Sequence, residues 1–318
     1  MLEFWFQLKC YLKYIAMKVL ITGSSGLIGS ALAKSLTSNG HEVIRLLRHS
    51  SANDSPVWGP ENGVMDLADV GEINAVVHLA GENIADGRWS GSKKNRILNS
   101  RVRGTKLLAE YFADSDQKPQ VIISASAVGF YGDRGTEIVD EESNAGKSFL
   151  ANVCVQWEDA LNAAVETGIR VVKVRFGTVL SINGGALKKM LLPFKIGAGG
   201  VIGSGEQYMS WVSIDDAVEM IQFAIANDSI QGPINFVTPN AISNRKFTRT
   251  FGQVLHRPTI FPLPAFAIRI ALGEMADELL LNSTRVFPKK LVESGYKFLQ
   301  PELSQALDHL TKADACKV

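Results

Sequence analysis

The hydrophobic positions of this chain follow two alternating patterns between Met17 and Leu180. Short β-branched apolar runs recur, and longer stretches with apolar residues at helical spacing separate them. The predicted strands are Val19–Thr22, Glu42–Arg48, Gly63–Asp66, Ala75–Leu79, Val121–Ala125 and Val171–Leu180, and the predicted helices are Leu27–Ser38, Ser92–Ala113 and Ser148–Thr167. Several strands are continuously apolar, which is typical of strands covered by helices on both faces. The pattern predicts an α/β fold with a doubly wound parallel sheet, Rossmann-like in type.

The pattern changes after Leu180. Residues 181–239 are rich in glycine around one short apolar helix, and we interpret them as a cover on the substrate side of the sheet. Residues 240–318 are mostly helical in pattern and predict a smaller C-terminal helical lobe. The sheet domain is assigned to residues 17–180, with later segments completing the sheet. A cleft is expected between the two lobes, at the carboxyl edge of the strands.

Residues 1–16 form an aromatic, amphipathic extension ahead of Met17, where the first strand-like run begins. The extension is too short to span a bilayer, and it lacks the basic leader and small-residue cleavage site of a signal peptide. A misassigned upstream start codon, a frayed helix and an interfacial anchor are three interpretations. We favour the first, in which translation starts at Met17.

Composition narrows the classes of function. The net charge of +1 does not indicate nucleic acid or an anionic membrane as a partner, and no stable membrane insertion is expected. The three widely separated cysteines fit a reducing compartment, so a cytoplasmic location is expected. The five histidines show no metal-ligand spacing, and no metal site is predicted. The sequence also lacks the nucleophile motif of serine hydrolases and the phosphate loop of nucleotide hydrolases.

The turn between the first predicted strand and the first predicted helix carries the clearest functional motif. Gly23, Gly26 and Gly29 stand at three-residue intervals, in the strand–turn–helix context of a dinucleotide-binding fold. Without side chains, the backbone can turn sharply and approach a pyrophosphate, while the amides and dipole of the helix start meet its negative charge. The predicted cofactor-binding residues of this turn are Gly23, Ser24, Ser25, Gly26, Leu27, Ile28 and Gly29.

The end of the second predicted strand indicates which dinucleotide is bound. An NAD site places a carboxylate there to bind the ribose 2′-hydroxyl. This chain has Leu47 at that position, followed by Arg48. A guanidinium suits a 2′-phosphate, so Arg48 predicts NADP (NADPH); the alternative is a solvated charge at the strand end.

Four segments carry a resemblance to a known superfamily: TGSSGLIG at 22–29, VMDL at 64–67, VVHLAG at 76–81 and SASAVGFYG at 124–132. With them, the chain resembles the extended short-chain dehydrogenases/reductases. Later segments, among them HLAGENIADGRW, GSGEQYMSW and GEMADELLLNSTRVFPKKLVESGYKF, narrow the resemblance to the atypical epimerase family subgroup. That subgroup has a C-terminal domain of unknown function, and some of its members are labelled cell-division inhibitors. The similarity runs from about Met17 to Leu310.

The resemblance implies further cofactor contacts. The residues that would line the cofactor after the fourth strand are Leu79, Ala80 and Gly81. Asp66 would lie near the adenine. Arg101 either reaches the cofactor phosphates or is a charge on the helix surface, and Leu180 either packs near the nicotinamide or belongs to the core.

The catalytic residues of the superfamily are only partly present. A reductase of this type uses a serine to polarise the carbonyl, and a tyrosine with a lysine four residues later to transfer the proton. Ser126 stands at the end of the fifth strand, where that serine belongs. On the helix that should carry the pair, alignment places Leu150 at the tyrosine position and Cys154 at the lysine position. Neither side chain supplies the proton or the cation, so the usual pair is absent.

Other residues are candidates for the missing chemistry. Tyr131 could reach the cleft from the end of the fifth strand, and Glu82 follows the fourth strand as an acid or base. Cys154 is the least favoured, as a nucleophile, because buried cysteines on apolar helices are usually inert. The catalytic candidates are therefore Ser126, Tyr131 and Glu82. Substrate-side candidates, of which the tryptophans are more simply interpreted as packing, are Arg88, Trp89, Arg175, Gln207 and Trp211.

Two functions are compatible with these observations. The first is an NADP-dependent oxidoreductase or epimerase that acts on a small carbonyl or sugar-nucleotide-like substrate, and the glycine turn, Arg48 and Ser126 motivate it. The alternative is a catalytically degenerate NADP-binding protein that regulates a partner, such as the division machinery implied by the family label. The missing tyrosine–lysine pair motivates this alternative. A protein partner or a homodimer is compatible with both.

Overall fold

The computed structural model describes residues 16–48, 56–67 and 70–315. Its strands are β1 (Lys18–Thr22), β2 (Glu42–Leu46), β3 (Val57–Gly59), β4 (Val64–Asp66), β5 (Ala75–His78), β6 (Val121–Ala127), β7 (Ile138–Val139), β8 (Arg170–Phe176), β9 (Thr178–Leu180), β10 (Tyr208–Met209), β11 (Trp211–Ser213), β12 (Gly232–Phe236), β13 (Ile242–Ser243) and β14 (Arg285–Val286). Its α-helices are α1 (Leu27–Ser38), α2 (Gly91–Asp114), α3 (Phe149–Asp159), α4 (Asn162–Glu166), α5 (Gly185–Lys195), α6 (Ile214–Ala226), α7 (Asn244–Val254), α8 (Ala265–Leu272), α9 (Glu274–Ala276), α10 (Lys289–Glu293) and α11 (Leu303–Ala315). A 3₁₀ turn spans Val128–Tyr131 and a π-helical turn spans Asp277–Leu281. The extension predicted before Met17 lies, apart from Ala16, outside the described residues.

The central sheet has six strands, all parallel, in the order β12–β8–β6–β5–β1–β2. The chain moves outward from β1 to β2, returns to β5 on the other side of β1, and then adds β6, β8 and β12. The strand order therefore reverses beside β1, and sheets of this kind bind ligands in the crevice at the carboxyl edge of such a reversal. The architecture confirms the predicted doubly wound parallel sheet with a helical C-terminal region.

Helices cover both faces of this sheet, which explains why its strands are continuously apolar. On one face, Leu36 of α1 and Ile221 of α6 pack in a core with Val77 of β5. On the other face, Leu108 of α2 packs in a core with Val76. Each side chain of this size contributes about 1.5–3 kcal/mol when it is fully buried.

Two predicted strands differ from the structure. Gly63–Asp66 lies outside the main sheet: β4 forms an antiparallel hairpin with β3, which rests on α2 where the Trp58 ring fills the space beside Gly104. The predicted strand Val171–Leu180 is broken at Gly177, after which β9 pairs with β11 instead of continuing in the main sheet. The chain can cross there only without a side chain, because a Cβ at Gly177 would lie 2.7 Å from the carbonyl oxygen of Ser210.

The predicted helix Ser148–Thr167 is two helices, α3 and α4. At the junction, the amide of Leu161 bonds to the carbonyl of Glu158 at 3.4 Å, three residues back, so the last turn of α3 tightens and the axis changes. The other two predicted helices differ from α1 and α2 by no more than a residue at either end.

The C-terminal part of the chain contributes both to the sheet and to a second lobe. Strand β12 and helix α6 belong to the central sheet domain, whereas α5, α7 and α11 share a separate core around Leu187, Phe251 and Leu307. The start of α5 lies over the start of α1, since a Cβ at Gly184 would lie 3.1 Å from the Leu27 side chain. The second lobe thus covers the carboxyl edge of the sheet. No helix within the described ranges is long and apolar enough to cross a bilayer.

Candidate functional site

The turn between β1 and α1 is built around two glycines that the chain's own packing requires. Gly23 has a φ of +67°, and a Cβ there would lie 2.7 Å from the carbonyl carbon of Leu79. At Gly29, a Cβ would lie 2.3 Å from the carbonyl oxygen of Gly23. The turn therefore packs against the end of β5 and closes on itself, and neither contact leaves room for a side chain.

Gly26 differs from the other two glycines. Its φ of −73° is open to any residue, and the atom closest to a Cβ would be the Gly23 carbonyl oxygen at 3.2 Å. Gly26 is exposed, as is Ser25 beside it. Packing among the described residues explains this glycine only weakly, whereas the close approach of a ligand to the backbone explains it directly.

The start of α1 differs from the starts of four serine-capped helices, although α5 and α8 also lack a side-chain cap. Helices α2, α3, α6 and α7 each follow a serine whose hydroxyl accepts the amide three residues on. Helix α1 has no side-chain cap, and the amides of Leu27 and Ile28 have no acceptor among the described residues. The buried hydroxyl of Ser24 likewise has no partner within the part of the chain that the structure describes. These donors fit an anion such as the diphosphate of a dinucleotide.

Arg48 lies at the same edge of the sheet as this turn. Strand β2 pairs with β1 as far as Thr22 opposite Leu46, and the exposed Arg48 follows two residues later. In a dinucleotide-binding sheet, the end of this strand contacts the adenosine ribose. Asp66 is exposed at the end of β4, in the hairpin rather than in the sheet.

The end of β5 is held against β1 by a buried hydrogen-bond chain. The amides of Leu79 and Ala80 donate to Thr22 Oγ1 at 3.2 and 3.3 Å. Thr22 Oγ1 lies 2.7 Å from His78 Nδ1, and the other ring nitrogen lies 3.0 Å from Thr105 Oγ1. Burial lowers the pKa of His78 to about 4, so the ring is neutral at physiological pH. His78 is therefore a core histidine with both ring nitrogens within hydrogen-bonding distance of threonine hydroxyls.

Arg101 lies beneath the loop that follows β5. Its Nη1 donates to the carbonyl oxygens of Glu82 and Ile97, both at 3.1 Å. Its guanidinium lies 5.0 Å from the centre of the Trp157 ring, and a Cβ at Gly81 would lie 3.3 Å from the guanidinium carbon. Burial lowers the pKa of this guanidinium. Arg101 is therefore half-buried beneath this loop, with its guanidinium bound to backbone carbonyls.

Glu82 is tied to α2 by an ion pair. Its carboxylate accepts from Lys93 Nζ at 2.7 Å and from Arg96 Nε at 3.5 Å. The hydrogen bond from Lys93 lowers the pKa of Glu82, so the carboxyl carries no proton to donate at neutral pH. This geometry gives Glu82 a role in holding the loop rather than in supplying a proton.

Ser126 belongs to a buried network behind the cleft. Its hydroxyl donates to Glu158 Oε1 at 2.7 Å. The same carboxylate binds Arg175 in a two-point contact, with Nε and Nη2 each 2.9 Å from a carboxylate oxygen. A carboxylate paired in this way only accepts hydrogen bonds, so the one proton of the Ser126 hydroxyl points to Glu158. That proton is not directed into the cleft.

Tyr131 is fully buried in the same network. Its hydroxyl donates to Asn235 Oδ1 at 2.7 Å and accepts from Arg175 Nη1 at 3.0 Å. Burial raises the pKa of Tyr131 to about 12. A phenol with no exposed surface and this pKa is poorly suited to proton transfer near neutral pH, so the geometry opposes the predicted catalytic role of Tyr131.

Comparison with known proteins adds to this geometry. Residues 19–237 match the model of the NAD dependent epimerase/dehydratase family, and residues 263–310 match a domain of unknown function, DUF1731. The chain belongs to the NAD dependent epimerase/dehydratase family. The resemblance seen in the sequence motifs is thereby confirmed.

Relatives in this family cover nearly the whole chain. Epimerase family protein Mb2239 of Mycobacterium bovis is 44% identical over 294 residues, which are 92% of this chain and 97% of the relative. The crystal structure of human epimerase family protein SDR39U1 (isoform 2), determined with NADPH, has 34% identity and a TM-score of 0.87, covering 93% of this chain and 99% of that one. A nucleoside-diphosphate sugar epimerase from Corynebacterium glutamicum has 36% identity and a TM-score of 0.79, covering 98% of this chain and 63% of that one.

In this member of the family, the helix aligned with the usual tyrosine–lysine pair presents only buried, uncharged groups. Leu150 and Cys154 of α3 are both buried, and the thiol donates to the carbonyl of Ala127 at 3.7 Å. Burial raises the pKa of Cys154 to about 11, although the nearby Arg101 lowers it in part. The thiol is therefore neutral, and a nucleophilic role is disfavoured.

Two other predicted residues are core residues of the cover. Leu180 is fully buried with Trp211 in the core that α5, α7 and α11 share, which corresponds to the packing alternative for both. Gln207 donates to the carbonyls of Ile202 and Leu280, so it joins segments of the lobe. Groups of His, Cys, Asp and Glu that could hold a metal ion do not occur among residues 16–48, 56–67 and 70–315.

The side of the cleft is closed by contacts that sequence reasoning missed. Glu278, from the π-helical turn, accepts from Ser148 Oγ at 2.8 Å and from the amide of Phe149 at 3.1 Å, and so holds the start of α3. Trp89 stacks edge-on against Phe149, with 5.4 Å between the ring centres. Glu158 and Glu278 lie 32 and 130 residues from the serines that they bind, and no local pattern marks either of them.

Proposed function

We propose that this chain binds NADPH in the turn between β1 and α1 and acts as an oxidoreductase or epimerase on a small carbonyl or sugar-nucleotide-like substrate. The observation that carries the proposal is the uncapped start of α1, where Gly26 leaves the backbone open to a diphosphate. The NADPH in the crystal structure of human SDR39U1 supports the same cofactor here. When bound, the reduced nicotinamide supplies a hydride.

The phosphates of the cofactor have partners in the proposed site. The amides of Leu27 and Ile28 bind the diphosphate, together with the dipole of α1. Arg48 binds the 2′-phosphate, and its charge discriminates NADPH from NADH. Arg101 is a second cation, placed beneath the loop after β5, and it neutralises negative charge further along the cleft.

The cofactor preference is tested by calorimetric titration with NADPH and NADH before and after Arg48→Ala. Loss of one charge-assisted contact to a phosphate removes about 1.5–3 kcal/mol, so NADPH affinity should fall roughly ten- to hundred-fold while NADH affinity changes little. Arg45→Ala is the matched control, because Arg45 is an exposed arginine within β2 itself. A wild-type protein that binds neither nucleotide would remove the proposal.

A second candidate is a catalytically degenerate NADPH-binding protein that regulates a partner, related to cell division as the family label implies. One observation favours it: the hydroxyls of Ser126 and Tyr131 both donate to buried acceptors, Glu158 and Asn235. With Leu150 and Cys154 on α3, the proton donors of the usual reaction are all replaced or engaged elsewhere.

The two candidates are separated by following NADPH oxidation with a panel of small carbonyls and nucleotide sugars. Turnover that falls at least ten-fold in Ser126→Ala, with NADPH affinity unchanged, supports the enzyme. Tight NADPH binding without oxidation on any member of the panel supports the regulatory protein. Thermal unfolding of Ser126→Ala and Tyr131→Phe controls for damage to the buried network.

A further inference from the structure

Six large apolar side chains on the cover and the C-terminal lobe are more than half exposed. Their exposed fractions lie between 57% and 74%, and they are Leu192, Ile196, Ile260, Phe261, Phe266 and Ile270. We refer to these six residues as the exposed apolar face. Contiguous exposed apolar surface is rare on monomeric proteins in water, and it marks a contact with another protein, a membrane or a ligand.

The segments that carry this face adjoin one another. Arg257 Nε donates to the Lys195 carbonyl at 2.7 Å, just after α5. The amide of Leu263 then donates to the Val201 carbonyl at 2.8 Å, so the chain after α5 runs beside the chain that leads into α8. Helix α8 has no buried side chain over its whole length. Ala265, Ile268 and Leu272 are half-buried, whereas the exposure of Phe266 and Ile270 is not explained by packing among the described residues.

The two segments that carry the face are rich in basic residues. Residues 183–205 and 244–273 contain no aspartate or glutamate. Their eight basic residues are Lys188, Lys189, Lys195, Arg245, Lys246, Arg249, Arg257 and Arg269. Three of these pair with carboxylates from outside the two segments, namely Lys189 with Asp86, Arg245 with Glu206 and Arg269 with Asp277. The whole chain carries only +1, so the positive charge is concentrated on this lobe.

We propose that the exposed apolar face docks the protein on an anionic lipid surface. Leucine, isoleucine and phenylalanine surrounded by lysine and arginine are the composition of surfaces that lie in a membrane interface. Each basic residue near an anionic leaflet adds about 1 kcal/mol of attraction. The apolar residues enter the boundary between headgroups and acyl chains, and no segment spans the bilayer.

Other occupants fit the surface less well. In a two-fold dimer the same patch lies on both sides of the interface, so the basic residues of one copy would face those of the other, and only some of them have a carboxylate partner. Protein interfaces are poor in lysine, whereas lysine supplies four of the eight basic residues of these two segments. The docking is independent of the proposed cofactor.

The experiment is co-sedimentation of the full chain with vesicles of phosphatidylcholine, with and without phosphatidylglycerol. We expect binding that needs phosphatidylglycerol and weakens at high salt. The double variant Phe266→Ser/Ile270→Ser should bind at least ten-fold more weakly. The control Val64→Ser/Leu299→Ser removes exposed apolar residues from other parts of the molecule and should bind within two-fold of the wild type. Lys246→Gln/Arg249→Gln should reduce binding and its dependence on salt.

Several outcomes would overturn the proposal. Wild-type protein that stays in the supernatant with both vesicle types would contradict docking on lipid. Binding that persists in Phe266→Ser/Ile270→Ser would assign the contact to another part of the chain, such as residues 1–16. A dimer in light scattering that dissociates in the same variant, with no vesicle binding, would assign the face to a second copy.

Discussion

At the scale of single residues, the direction of one proton decides what the cleft can do. Ser126 donates to Glu158, whose carboxylate is held by Arg175. In this arrangement the hydroxyl presents only lone pairs to other groups, so Ser126 polarises a carbonyl by donation only if it first releases Glu158. Releasing the serine leaves the Glu158–Arg175 ion pair intact and loses one hydrogen bond to a charged group, which costs about 1.5–3 kcal/mol.

His78 gives the folded state a dependence on pH. Burial lowers its pKa to about 4, whereas the unfolded chain has a histidine near 6.5. Below pH 6.5 the unfolded state takes up a proton that the folded state does not, so the free energy of unfolding falls as the pH is lowered. Between pH 7 and pH 5 this residue accounts for a loss of roughly 2 kcal/mol.

Urea unfolding of the wild type and of His78→Gln at the two pH values measures this contribution. The decrease should be smaller in the variant by about that amount, since glutamine does not titrate. Other titrating groups, His41 among them, act equally in both proteins. Identical decreases in the two proteins would contradict a neutral, buried His78.

At the scale of elements, the three glycines between β1 and α1 have different roles, and substitution distinguishes a glycine required for packing from one required for ligand binding. Gly29→Ala forces a methyl group onto the Gly23 carbonyl at 2.3 Å, so it should lower the melting temperature by several degrees or prevent folding. Gly26→Ala meets only a 3.2 Å contact with an ordinary φ, so the protein should fold normally.

NADPH titration then distinguishes the function of Gly26 from its packing. If the backbone at Gly26 approaches the diphosphate, the methyl group of Gly26→Ala should weaken NADPH binding at least ten-fold while the melting temperature stays within a few degrees of the wild type. Wild-type affinity in this variant would show that the position is not at the diphosphate.

The elements themselves were largely predictable because their signals are local. Apolar runs and helical spacing predicted the strands β1, β2, β5 and β6 and the helices α1 and α2, and the glycine spacing predicted the turn. The break at Gly177 was not predictable, because it depends on the backbone of Ser210 crossing from another segment. The hairpin of β3 and β4 was missed for a similar reason, since its partner surface is Gly104 on α2.

The residues of the candidate site were likewise predictable only where their signals are local. Residues 23–29 and Arg48 follow directly from strand ends, so their placement at one edge could be anticipated from the order of strands. The hydrogen-bond partners of Ser126 and Tyr131 could not, because Glu158, Arg175 and Asn235 come from other elements, and nothing in their immediate sequence indicates a buried charge.

At the scale of the whole molecule, the C-terminal lobe reaches back to the sheet domain through contacts around α3. Glu278 occupies the amino end of this helix, and Lys94 pairs with Glu274 at 2.7 Å across the same boundary. On the other side of the cleft, Lys189 of α5 donates to the Ala85 carbonyl at 2.8 Å. The position of α3 therefore depends on residues more than a hundred positions later in the chain.

Glu278→Ala should loosen the first turn of α3. Loss of a cap costs about 1 kcal/mol, so the stability should fall by that amount and hydrogen exchange should accelerate at the amides of Phe149 and Leu150. Glu274→Ala is the control, because it removes a partly exposed ion pair and should cost under 1 kcal/mol without affecting those amides. Unchanged exchange in Glu278→Ala would refute the coupling between the lobe and the helix.

The position of Arg101 has a consequence for any attempt to introduce the usual tyrosine–lysine pair into α3. Replacing Leu150 by tyrosine and Cys154 by lysine would recreate the usual pair. The new ammonium would then lie in a desolvated environment close to the Arg101 guanidinium, which already lowers the pKa of the Cys154 thiol in part. Two like charges at such a place repel strongly, and Ser126 would remain bonded to Glu158. Leu150→Tyr/Cys154→Lys alone should therefore not restore the chemistry of the usual pair, because the new lysine also needs a compensating change at Arg101.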